Sequence, residues 1–428
     1  MSALTVFTET SKKIPVVSFA VGFRVGSTSD PVGKEGLARI TARLFRRGTR
    51  ALGAEAVEES IDRLGAEFGA DATPSTSTVH GECITRNVSA FSELMSRLVG
   101  EPAFDAEELG RVVRETQAEI VEARDSDRVL AGRAFRRTLF AGHPYARRVA
   151  GTLPSLASIT AADVRAFYDK TYTRANAVVA VSGDVTDADA RALAEKIVSR
   201  LPEGTPAVDA IGDPAGPTGR HLVIVDKPER TQTQLVIGAI GSRADDPDHF
   251  AWVVGNTTFG GTFTSRLMQE VRAKRGWSYG ASSRVGFDRH RDAFTMWTAP
   301  AAKDSADCLA LELELLGELV AKGVTDDEVA FAKNYLIRSH AFDLDTAKKR
   351  VHLPFEEALY DLPPGYHTKY VSHVEAVGTK DINAALASRI KLHDLVVGAV
   401  ITNDETGAAL VKAIPSLAST TVLPQDFE

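Results

Sequence analysis

Apolar residues recur along this chain in two spacings. Short runs rich in Val, Ile, Phe and Thr, such as LTVFTET and VVSFAVGF near the start, alternate or stay apolar over the length of a strand. Longer segments between them carry helical spacing. Over Ala54 to Phe68 the residues Ala56, Val57, Ile61, Leu64 and Phe68 form one apolar stripe. Glu107 to Leu130 reads as one long charged helix, and Ala161 to Asp169 as a short one. Strands and helices mixed without strict alternation predict an α+β fold, a largely antiparallel sheet with helices packed on one face.

The pattern is stated nearly twice. LTVFTETSKKIPVVSFAVGFRVGS ends at Gly26-Ser27, and HLVIVDKPERTQTQLVIGAIGS repeats the same events up to Gly241-Ser242, 215 residues later. Near the close of each half, ITAADVRAF then NAVVAVSGDV answers VGTKDINAA then DLVVGAVITND. Between the halves lies LPEGTPAVDAIGDPAGPTG, with four prolines and four glycines. We therefore read two tandem homologous domains, 1–201 and 220–428, joined by a Pro/Gly-rich linker at 202–219.

Composition narrows the function classes. A formal charge of −7 with acids and bases interspersed disfavours nucleic acid and an anionic membrane surface as partners. Cys83 and Cys308, far apart, make neither a disulfide framework nor a cysteine-ligated zinc cluster. No apolar run is long enough to span a bilayer or to serve as a secretory leader, so the chain reads as cytoplasmic. A periplasmic protein freed of its leader would read the same.

The candidate chemistry lies in GLARITARLFRRGT, Gly36 to Thr49. A zinc-peptidase helix needs two histidines four apart on one face and a carboxylate to take a proton from the bound water. The inverted motif, His-x-x-Glu-His, falls here on Arg39, Ile40, Thr41, Ala42 and Arg43. Both ligand positions are arginine, which offers no lone pair, and the base is alanine. No two of the ten histidines are spaced by four. Glu115, Glu119 and Glu122 form a charged helical face, and Arg39 and Arg43 read as a second, either paired with those glutamates or free to meet a peptide or a partner.

The frame around those positions resembles the pitrilysin and mitochondrial-processing-peptidase family, in which a strand, a Gly-Ser turn and a polar loop lead into Gly-Leu-Ala-His-x-x-Glu-His. Val25-Gly26-Ser27, TSDPVGKE and Gly36-Leu37-Ala38 follow that order, and His143 to Tyr172 also looks like the family. The resemblance implies that Glu115, Glu119 or Glu122 marks the remaining carboxylate ligand's place and that the zinc itself is missing from this chain.

In the second half, FGGTFTSRLMQEVRAKRGWSYGASS (Phe259 to Ser283) keeps what the first lost. Thr264 to Lys274 reads as a helix stopped by Gly276, and Trp277 to Val285 as the strand after it. Local pattern alone makes Arg272 a cation suited to a helix's last turn and Tyr279 a strand residue packing on a neighbour. The resemblance implies more. Ser265-Arg266-Leu267, Arg272, Lys274, Gly276 and Tyr279 match the family's second-domain signature, in which the Arg and Tyr bind the substrate backbone. Gly260 and Gly261 resemble a glycine-bearing loop of some relatives and also read simply as a turn.

The expected function is that of a non-catalytic, substrate-binding subunit of a heterodimeric zinc peptidase. The resemblance implies a homologous partner carrying His-x-x-Glu-His with the zinc, a peptide substrate, and no catalytic or metal-ligating residue in this chain. A stand-alone peptide-binding protein and a structural core subunit are the alternatives.

Overall fold

The computed structural model describes residues 4–208, 210–403 and 405–428. Two sheets organise it. In the first, β1 (Thr5–Thr10), β2 (Val16–Phe23), β3 (Ala66–Ala72), β4 (Ser77–Ile84) and β5 (Ala177–Gly183) lie in the order β1-β5-β2-β4-β3. Only β1 and β5 run parallel. In the second, β6 (Arg220–Asp226), β7 (Gln234–Ile240), β8 (Ala281–Val285), β9 (Ala293–Thr298), β10 (Val396–Ile401) and β11 (Leu417–Pro424) lie in the order β11-β6-β10-β7-β9-β8. Without β11, which adds a parallel strand to β6, this is the first sheet's topology again. The fold is α+β with two copies of one architecture, as the repeated pattern implies.

Each sheet carries its main helical layer on one face. Val17, Phe19, Val21, Val179 and Val181 meet the helices Val88–Gly100, Ala161–Thr171 and Asp187–Val198 in the first core. Leu222, Ile224, Leu235 and Ile237 meet Trp252, Leu309 and Leu316 in the second. The opposite face is covered too, by a single helix drawn from the other half of the sequence. Helix Ala347–Leu359 lays Val351, Phe355 and Leu359 on Val178 and Ala180 of β5. Helix Asp127–Leu139 lays Leu130, Phe135 and Leu139 on Val223, Val236 and Val396.

Glycines make room for both helices. A Cβ on Gly22 of β2 would lie 2.8 Å from Leu359 and Phe355, and one on Gly398 of β10 would lie 2.8 Å from the Ala131 carbonyl oxygen. Arg24 holds the end of helix Ala347–Leu359 by donating to the Ala358 carbonyl from Nη2, at 2.7 Å, and from Nε.

The chain thus divides into two units, 1–120 with 147–211 and 341–368, and 121–146 with 212–340 and 369–428. Passage between the units in the Pro/Gly-rich segment falls after Ile211. The expected domain spans, 1–201 and 220–428, describe the halves of the sequence, whereas each spatial unit borrows a segment from the opposite half. Three expected elements also change length. The helix at Ala54 stops at Arg63, because Gly65 turns left-handed (φ 55°) and Phe68 lies on β3. The long charged helix is two, Ala106–Glu122 and Asp127–Leu139, with Ser126 capping the second by accepting from the Val129 N–H. The short helix runs on to Thr171. No helix among the described residues is long and apolar enough to cross a membrane.

Candidate functional site

In the first unit, the helix that carries the motif frame is Leu37–Leu44. Leu37, Ala38, Ile40, Thr41 and Leu44 point into the core, which turns Arg39 and Arg43 outward along one edge. Asp30, buried, starts the helix by accepting from the Gly36 and Ala38 N–H groups, each at 2.8 Å. Burial pushes the Asp30 carboxyl up to about 7, against the lowering effect of those bonds. Gly36 is required there, since φ is +99° and a Cβ would lie 2.9 Å from the Ala150 carbonyl oxygen.

Glu119 lies between the two arginines. Arg43 donates from Nη2 to Glu119 Oε1 at 2.7 Å and from Nη1 to Thr116 Oγ1 at 2.8 Å. Arg39 Nη1 is 3.2 Å from Glu119 Oε2, and its Nε donates to Asp71 Oδ1 at 3.1 Å. One turn on, Arg47 pairs with Glu115 at 2.7 Å. Of the two open readings of Arg39 and Arg43, pairing with the glutamates is the one found. Ala42, at the base position, is a buried methyl.

A divalent ion brought to Glu119 would meet two guanidinium groups and no nitrogen lone pair. Zinc does not fit these residues, and among the described residues no group of three or more His, Cys, Asp or Glu is placed to hold a metal. The positive charge beside Glu119 is instead supplied by side chains of the helix itself.

In the second unit, Arg272 lies in a π-helical segment, Met268–Lys274, where a wider turn is a feature enriched at functional positions. The strand begins at Ala281, so the expected span from Trp277 is too long and Tyr279 sits in the irregular segment before it. Gly276 (φ 65°) and a bond from the Trp277 N–H to the Val271 carbonyl, 3.1 Å, end the helix and turn the chain back. That return sets Tyr279 against Arg272, whose guanidinium carbon is 4.7 Å from the ring centroid.

A second ring lies as close. Phe263, which the sequence reading did not single out, lies 4.6 Å from the same guanidinium carbon. Phe263 is 69% exposed and Tyr279 86% exposed. The guanidinium therefore lies over two solvent-facing rings. Such ring contacts take up no N–H donor in a hydrogen bond.

The neighbouring cations are engaged in another way. Arg266 grips Glu328 with two bonds, 2.6 and 2.7 Å, and donates to the Gly323 carbonyl. Lys274 and Arg275 both reach Glu270. Among the described residues, the Arg272 side chain has no hydrogen-bond or ion-pair partner beyond the two rings. In the matched Ser-Arg-Leu stretch, then, Arg266 braces the fold and Ser265 and Leu267 are buried, while Arg272 is half-buried and Tyr279 is exposed.

Gly260 and Gly261 are sites of close approach. A Cβ on Gly260 would lie 2.4 Å from the Ser283 nitrogen, and one on Gly261 would lie 2.8 Å from Thr257 Cα. Behind this surface, helix Ser305–Lys322 buries Glu312 completely. Glu312 Oε2 accepts from Thr298 Oγ1 at 3.0 Å, Oε1 has no hydrogen-bond partner, and burial pushes the carboxyl up to about 8.

Residues 5–153 match the family model described as Insulinase (Peptidase family M16), and residues 158–336 match that described as Peptidase M16 inactive domain. An uncharacterized zinc protease of Mycobacterium leprae is 27% identical over 78% of this chain and 75% of its own length. A Helicobacter pylori protein named as a non-peptidase homolog is 21% identical over 92% of this chain and 91% of its own. The crystal structure of a peptidase M16 inactive domain from Pseudomonas fluorescens superimposes with a TM-score of 0.87 at 27% identity. It covers 94% of this chain and 97% of that one.

Proposed function

The chain belongs to the M16 (insulinase) peptidase family, and from that premise we propose that it is a non-catalytic, substrate-binding subunit of a heterodimeric zinc peptidase. A homologous partner with His-x-x-Glu-His would hold the zinc and hydrolyse the peptide. This chain would hold that peptide. Its own motif helix has Arg39, Ala42 and Arg43 where ligands and base belong, which supports the non-catalytic role.

The observation that carries the binding role is Arg272, the one cation between Arg266 and Arg275 that has no carboxylate, its guanidinium set over the rings of Phe263 and Tyr279. A guanidinium held this way has little freedom to lose when its edge donates to carbonyl oxygens of an extended peptide. The Tyr279 hydroxyl supplies a second donor from the same side of the turn. Recognition through backbone carbonyls accepts many sequences, as a peptide-degrading or peptide-processing complex requires.

Peptide hydrolysis by the chain mixed with its zinc-bearing partner tests this. The mixture should exceed either chain alone. Arg272→Ala should lower catalytic efficiency by about 10- to 150-fold, from the roughly 1.5–3 kcal/mol of a charged hydrogen bond, without dissociating the complex or removing its zinc. Tyr279→Phe should cost about 2- to 13-fold. Unaltered kinetics for Arg272→Ala in an intact complex would refute the assignment.

A further inference from the structure

The loop before the π-helical segment sets an apolar ring beside Arg272. Phe263 presents a large apolar ring to solvent from a turn that is tied down on all sides. Gly260 and Gly261 both donate to the Asn256 carbonyl, at 2.9 and 3.1 Å, and the Ser283 N–H donates to the Gly260 carbonyl at 2.9 Å. The Ser265 N–H closes the turn onto the Thr262 carbonyl at 3.2 Å, with Ser265 and Leu267 buried immediately after. Neither glycine could carry a side chain without moving Ser283 or Thr257. The ring is held where it is.

One of its faces lies against Arg272. With that face engaged, Phe263 is still 69% exposed. Water is a poor neighbour for that surface, and an apolar ligand group covering it would gain from the burial. A peptide whose carbonyls meet the Arg272 guanidinium passes beside Phe263, whose ring centroid is 4.6 Å from the guanidinium carbon.

We propose that Phe263 is a specificity-determining residue: it orients Arg272 and offers an apolar wall, so that the site prefers extended peptides with a bulky apolar side chain next to the carbonyl that Arg272 holds. This rests on the peptide-binding reading above. The physical division of labour is simple. Arg272 reads the backbone and is indifferent to sequence, whereas Phe263 reads one side chain.

The test uses the full chain and two fluorescein-labelled peptides of alternating Ala and Thr, one with a central Phe and one with Ala in its place. Fluorescence anisotropy gives each Kd. The unsubstituted chain should prefer the Phe peptide by about 5- to 10-fold, the order expected for covering part of one aromatic ring. Phe263→Ala should abolish most of that preference, and Phe263→Tyr should keep it. Arg272→Ala should weaken both peptides by about tenfold or more. If Phe263→Ala leaves the preference intact while Arg272→Ala weakens both peptides, the proposal fails and the binding reading stands. If neither peptide binds, or Arg272→Ala changes neither, both fail. Thermal melts of each variant separate a lost contact from a lost fold.

Discussion

Glu312 offers a test of the packing around the second unit that needs no ligand. Its carboxyl is wholly buried, with one oxygen bonded to Thr298 and the other unpartnered, so the charged form is strongly disfavoured in the folded chain. Burial raises its pKa from 4.5 to about 8. The unfolded chain therefore releases this proton at lower pH than the folded one. The stability tied to the neutral carboxyl is fully present below about 4.5 and is lost as pH rises towards about 8. Each pH unit within that window costs roughly 1.4 kcal/mol, so the interval from pH 5 to 7 costs about 3 kcal/mol. In a unit of roughly two hundred residues this corresponds to about 6–12 °C in Tm. Glu312→Gln keeps the shape and removes the proton. Melting both proteins between pH 5 and 9 and plotting the variant's Tm minus the parent's cancels the other titrating groups, Asp30 among them. The difference should climb by about 6–12 °C from pH 5 to 7 and level off above about 8. A flat difference, or one that falls with pH, would refute the claim that a neutral carboxyl is held there.

Four further outcomes follow from features already described. Arg266→Ala breaks the paired bonds to Glu328 and should lower Tm by about 2–8 °C, the effect of losing roughly 1–2 kcal/mol in a partly exposed pair. Arg272→Ala, by contrast, should leave Tm within about 2 °C, since only ring contacts are lost. Protein purified without a histidine tag should contain no stoichiometric zinc by elemental analysis, and a chelator should leave its melting curve unchanged, because two guanidinium groups surround Glu119. Protease should cut first in the exposed stretch Thr205 to Val208, and size-exclusion chromatography should find the two fragments still together, since each sheet keeps a helix from the other fragment.

Much of the architecture was legible because its signals are local. Alternating or continuously apolar runs marked β1, β2, β5, β6, β7 and β10, and the repeated Gly-Ser turns marked the duplication. The overlong helix at Ala54 came from counting Phe68 into the apolar stripe, although Gly65 ahead of it was a stop signal. The merged charged helix came from passing over Ser126-Asp127, a capping pair inside a continuous run of helix formers. What no local pattern encodes is the destination of an amphipathic helix. Leu130, Phe135 and Leu139 make a good apolar stripe, and nothing in that stripe says which sheet it covers. At the candidate site, Arg272 and Tyr279 were found through the resemblance. Phe263 was not, because an isolated Phe in sequence looks like core and only its exposure beside Arg272 sets it apart.

The exchanged helices also set a clock on biosynthesis. When β5 leaves the ribosome, Val178 and Ala180 face water, and the helix that will cover them has not been translated. At about 5–20 residues per second, the interval from Gly183 to Leu359 lasts on the order of ten to thirty seconds. Helix Asp127–Leu139 waits in the opposite sense, made early and holding Phe135 and Leu139 exposed until β6, β7 and β10 exist. During that interval the nascent chain offers apolar surface to chaperones and to other nascent chains. A chain released by premature termination anywhere before Leu359 carries no finished unit, only two incomplete ones.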